Sequence, residues 1–137
     1  MTIDERLQML INRIKAYFPA HQVEGFPEEP SGYRLMHANG ALLVRYDGGD
    51  YDEPESFTTL TQGGLQYYTI SVVMRNLREK EKQSGLYRVL DNLRACINGF
   101  SPQKGEKFYC IKEQFVEEEN GIWVFESMFA VRTMGTY

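Results

Sequence analysis

The chain has 137 residues, room for about one domain. Lys and Arg number 15 against 19 Asp and Glu, a formal charge of −4, while 42% of residues are hydrophobic and 13% aromatic. These values argue against a general binder of phosphate backbones, which needs a basic face, and against intrinsic disorder. The longest aliphatic run, Ala41 to Val44, is far short of the ~20 apolar residues that span a bilayer.

The first element reads as a helix. Ile3, Leu7, Leu10, Ile11, Ile14 and Phe18 recur at helical spacing, Thr2 and Glu5 have the form of a capping box, and Pro19 stops the helix after Phe18. Ala41 to Tyr46 is a short strand. Asn39-Gly40 before it is a tight-turn signal, with Tyr33 to Ala38 as a possible hairpin partner; like charges at Arg34 and Arg45 count against full pairing. A glycine-rich, acidic stretch follows from Asp47 to Gly64. It reads as a long flexible loop that orders only against a neighbour.

Leu65 to Leu77 forms a long strand with Tyr68, Ile70, Val72 and Met74 on one face. A second helix carries Leu86, Val89, Leu90, Leu93 and Ile97 on one side, with Ser84 able to cap its start and Gly99 at its end. Last comes a hairpin: Lys107 to Glu118, an Asn120-Gly121 turn of type I′, then Ile122 to Thr133. The order α-β(β)-β-α-β-β is an α+β pattern, two helices packed on one mainly antiparallel sheet, in a single domain over 1–137.

Little in the chain suggests chemistry. Cys96 and Cys110 are too far apart for a C-x-x-C pair, and His21 and His37 do not follow at metal-ligand spacing. The bland reading is two reduced thiols, although spacing alone leaves a disulfide open. The N-terminal segment lacks the regions of a signal peptide, so a reducing compartment is expected. Asp47 to Asp52 does not match the ligand spacing of a calcium loop, and a solvated loop is the simpler account. G-x-S-x-G, a P-loop and G-x-G-x-x-G are all missing, so neither an enzyme nor a cofactor is expected. Tyr67, Tyr68 and Arg75 could stack single-stranded bases, but the net charge favours a structural role.

The hairpin is more informative. With Glu119 facing Ile122, a continuous ladder sets Val116 opposite Phe125 and Cys110 opposite Val131, beside Trp123 and Phe129. The other face then carries Ile111, Phe115, Val124, Met128 and Ala130 with Glu113 and Glu126. Both faces are substantially apolar, and two helices cover only one, so another subunit is expected to cover the second. A ligand-binding or enzymatic α+β domain with aromatics lining a pocket is the alternative.

Gly40 to Gly48 (GALLVRYDG) and Leu90 to Pro102 (LDNLRACINGFSP), in their order around the long strand, resemble the Mu-like phage tail terminator, or tail completion, family, which is also common in prophages. The resemblance implies an α+β subunit that forms a ring, typically a hexamer, on the last ring of a tail tube. That ring would stop tube polymerisation and present a surface to the head connector. It implies the tail tube protein, the head-tail connector and further copies of the chain as partners, with no membrane or direct nucleic-acid recognition. It also implies assembly in the host bacterial cytoplasm, then residence in the virion tail; another phage neck or tail assembly protein is a further possibility. No catalytic, cofactor or metal residue carries over. The candidate interface residues are Arg45, Asp47, Asp50, Asp52, Glu53, Tyr67, Arg75, Phe115, Val124 and Met128, with Arg45 and Arg75 expected to pair with the acidic Asp47 to Gly64 loop of a neighbouring subunit.

Overall fold

A computed structural model describes residues 1–27, 40–54, 61–75 and 85–136. It contains the helices α1 (Ile3–Tyr17) and α2 (Leu86–Ile97). The strands are β1 (Gln22–Gly25), β2 (Ala41–Tyr51), β3 (Thr61–Met74), β4 (Phe108–Glu119) and β5 (Ile122–Thr136). The expected α+β architecture holds: one five-stranded sheet in the order β1-β2-β3-β5-β4, antiparallel except for β1 beside β2.

The α1 start follows from its capping box. The Glu5 amide donates to Thr2 Oγ1 at 3.1 Å, and the Thr2 amide donates to Glu5 Oε1 at 3.0 Å. These bonds, first the backbone one, hold the Glu5 carboxyl below its ordinary range. At the other end the Phe18 amide closes on Ile14 O before Pro19. α2 begins at Gly85 without a side-chain cap, and Ser84 lies outside the described residues. It ends through Asn98 and Gly99, the latter at φ +81°, a conformation glycine adopts without strain.

Both helices lie on one face of the sheet, α1 over β1 and β2 and α2 over β3 and β4, and they touch each other. Between them and the sheet sits the core. Leu10, Ile14, Leu86, Leu93 and Ile97 come from the helices; Leu42, Val44, Tyr68, Ile70, Val72, Phe108 and Phe129 come from the strands. Period-2 alternation selects this face, so Tyr68, Ile70, Val72 and Met74 are buried as expected. Aromatic rings join its far end: Tyr68 meets Tyr46 and Phe108 edge-on at 5.4 and 5.5 Å, and Phe100 stacks on Phe108.

Four expectations need correction. β1 is unforeseen, a four-residue strand with one aliphatic side chain, held parallel to β2 through Val23 opposite Leu42. Tyr33 to Ala38, its suggested rival as β2's neighbour, lies outside the described residues.

The acidic loop is shorter than expected. Asp47 to Tyr51 continue β2, and Thr61 to Gly64 begin β3. A bulge permits this, setting Asp47 and Gly48 together against Tyr67, with Gly48 at φ +97°. Residues 55–60 lie outside the described part.

The hairpin turn is as expected, Asn120 at φ 55° and Gly121 at φ 79°, with Glu119 opposite Ile122. Its register then slips twice. Bulges at Val116 and Ile111 each insert one residue into β4, so Phe115 faces Phe125, Cys110 faces Phe129 and Phe108 faces Val131.

The fourth correction follows from these bulges. Glu113 and Phe115 turn to the helix side of the sheet, opposite Ser127 and Phe125, and leave the second face.

Candidate interaction surface

The sheet face away from the helices is built by alternate residues of β2, β3 and β5, and its centre is polar. Arg45 spans it: its guanidinium bonds Glu126 Oε2 at 2.6 Å and Ser71 Oγ at 3.2 Å, and approaches Asp47 Oδ1 at 3.6 Å. The Phe26 ring lies 5.3 Å from the guanidinium carbon, a cation–π contact. Asp47 also accepts from Thr69 Oγ1 at 2.9 Å. Further along, Tyr67 donates to Asp50 Oδ2 at 2.7 Å, and this carboxylate pushes the phenol up from its ordinary value. Arg132 pairs with Asp52 at 3.2 Å. Candidate residues of β2 and β3 are thus brought together, and the ion pairs of Arg45 and Asp52 are made inside the chain, to Glu126 and Arg132 of β5.

Val124 and Met128 flank this ladder half-buried, Val124 opposite Val73 and Met128 opposite Thr69. The second face is therefore mixed in character, and its apolar part is narrower than the sequence suggests. Glu53 is exposed. Arg75 is exposed at the end of β3, far along the strand from Asp50 and Asp52, and forms no ion pair with a described residue.

Apolar exposure concentrates instead on β4, where every residue from Ile111 to Glu119 is exposed. Phe115, at 53% exposure, rests on Trp123 and Phe125 with centroids at 5.9 and 5.6 Å, and Phe125 meets Tyr87 of α2. Glu113 pairs with Arg94 of α2 at 2.5 Å, tying the base of this arm to the helix layer.

A buried polar cluster escaped the sequence reading. Arg6 of α1 grips Glu106 with two bonds, Nε to Oε1 at 2.9 Å and Nη2 to Oε2 at 2.7 Å; both side chains are 5% exposed. Gln103 donates to Glu106, Arg6 also reaches Gln66 Oε1 and Met1 O, and Tyr68 donates to the same Gln66 oxygen. Burial alone would raise the Glu106 carboxyl, but bonds from Arg6 and Gln103 and the Arg6 charge outweigh it and hold it below the ordinary range. The Glu106 bond raises Arg6 in turn, and burial lifts the Tyr68 phenol well above its ordinary value. Only the long sequence separation hid this cluster, since a lone Arg on a helix and a lone Glu in a loop carry no pattern.

Both cysteines are free, Cys96 buried and Cys110 half-buried, and burial pushes both thiols up. Among the described residues no three His, Cys, Asp or Glu side chains group as metal ligands. No described helix is long and apolar enough to cross a membrane.

No curated protein matches the chain in sequence. Solved structures do match, among them a chain from the "Virion of native gene transfer agent (GTA) particle", at a TM-score of 0.48 and 14% identity over 96% of this chain and 91% of that one. A family model described as "Gp37 protein" matches residues 10–136, all the elements described above except the first turns of α1. The chain belongs to the phage-related Gp37 protein family.

Proposed function

We propose that the chain is a structural subunit of a phage or prophage tail, forming a ring that caps the tail tube, ends its polymerisation and offers a surface to the head connector. The observation that carries this reading is the Gp37 family match over residues 10–136. The resemblance of Gly40 to Gly48 and Leu90 to Pro102 to tail terminators adds the ring, a hexamer in the assembled tail. The polar cross-strand ladder from Arg45 to Glu126 and the exposed β4 arm offer two chemically distinct surfaces, as a subunit with different neighbours on different sides requires. Such work needs no catalytic group, and its partners are further copies of the chain, the tail tube protein and a connector protein. In this role it is made in the bacterial host and carried in the tail.

The test is direct. Purified tail tubes of the same phage, mixed with the protein and viewed by negative-stain electron microscopy, should carry a ring at one end and fail to lengthen when tube protein is added. Tubes that remain bare and continue to grow refute the terminator role.

A further inference from the structure

β4 is an edge strand, and its outer side is closed over only half its length. Near its start, Phe108 N donates to Phe100 O at 2.9 Å and Gly99 N donates to Phe108 O at 2.8 Å. Cys110 N donates to Asn98 Oδ1 at 2.7 Å. The segment after α2 therefore acts as a short sixth rung that satisfies both outward groups of Phe108 and the N–H of Cys110. Beyond the Ile111 bulge this cover ends. Counting back from the closing pair Glu119 opposite Ile122, antiparallel alternation turns the backbone groups of Glu113, Phe115 and Glu118 outward. No described residue bonds them from that side.

We propose that this open edge, Glu113 to Glu118, is a strand-addition site for an extended segment of another polypeptide bearing Lys or Arg. Main-chain bonds to the outward groups would supply affinity, and side chains would supply the choice of partner. Charge decides which partner. From Lys112 to Glu119 the strand carries one cation and four carboxylates, a net of −3 out of −4 for the whole chain. Pairing with a second β4 sets carboxylate against carboxylate, which destabilises a ladder. The opposite edge of the sheet, β1, is short and holds Glu24 with no Lys or Arg, so a second copy cannot offer that either. The acids guard the edge against copies of itself while leaving it complementary to a basic strand. Phe115, half-exposed on its aromatic bed, provides the apolar contact for one side chain of the incoming strand. The site does not depend on ring formation.

The probe is a pair of synthetic strand-forming peptides, one alternating Val with Lys and the other alternating Val with Glu. Amide hydrogen exchange of the intact chain is followed by NMR. The expected result is slowed exchange at Phe115 and Glu118 with the Lys peptide alone, weakened at least about fivefold in affinity by E117K/E118K or by raised salt. Phe115→Pro, which removes an outward donor and keeps the ladder to β5, should abolish binding where Phe115→Ala only reduces it. Equal protection by both peptides, protection by neither, or protection that grows with protein concentration in the absence of peptide overturns the proposal.

Discussion

Replacing Glu106 by Gln should be among the most damaging changes of a single charge in the molecule. The wild-type carboxylate accepts three bonds, from Arg6 Nε, Arg6 Nη2 and Gln103 Nε2, at 2.7 to 2.9 Å in a site 5% exposed. The amide keeps one acceptor oxygen and turns its NH2 toward a donor, leaving the buried Arg6 charge without a counter-charge. Removing one member of such a pair costs about 3–5 kcal/mol, a shift of more than about a hundredfold in the folding equilibrium. The assay is urea unfolding followed by fluorescence of Trp123, the one tryptophan of the chain, with far-UV circular dichroism as a second probe. The pH dependence supplies an independent check. Because the folded carboxyl is held below its unfolded value, the unfolded state binds more protons as pH falls. The stability this group contributes is fully present above the unfolded pKa and is lost as pH falls through the depressed folded one. E106Q should remove that acid-side loss while lowering stability at neutral pH. A cost below about 1 kcal/mol, or an unchanged acid limb, would refute the view that the pair is buried and coupled.

Three further outcomes are expected. Phe129→Ala should lower stability by about 3–5 kcal/mol in the same unfolding assay, since the ring is fully buried in the core between the sheet and the helices. Ser127, fully buried with a hydroxyl that no described group bonds, should tolerate Ala with no loss or a gain of about 1 kcal/mol. In a thiol-exchange assay on the native protein Cys110 should react first, while Cys96 should stay protected until the chain unfolds, because it is fully buried beneath α1.

Elements with a strong period were legible in the residues. The α1 stripe, the α2 stripe, the alternation through Tyr68 and Met74 and the Asn-Gly turn each carry a local physical signature, and each stands where that signature puts it. Features fixed by distant partners were not legible. β1 has no pattern of its own and is a strand because Leu42 and Val44 lie beside it. The β4 bulges are not marked by glycine or proline, so a continuous ladder was the natural expectation, and a one-residue slip reversed the face of Phe115 and Glu113. Among the candidate site residues, the acids of Asp47 to Asp52 looked like an unstructured run because of their glycines, yet cross-strand partners Tyr67, Thr69 and Arg132 hold them in a sheet.

The position of β5 has a consequence for the order of events in synthesis. It comes last among the strands yet lies between β3 and β4, pairing residues 123–136 with residues 61–74. On the ribosome, α1, β1, β2 and β3 can gather early, but β3 keeps a bare inner edge until β5 emerges. The β4–β5 hairpin can zip locally within microseconds, whereas its docking onto β3 must close a loop of some fifty residues. The β3–β5 pairing is thus the longest-range closure between sheet neighbours, and the folding rate should follow its contact order more than the strength of either helix.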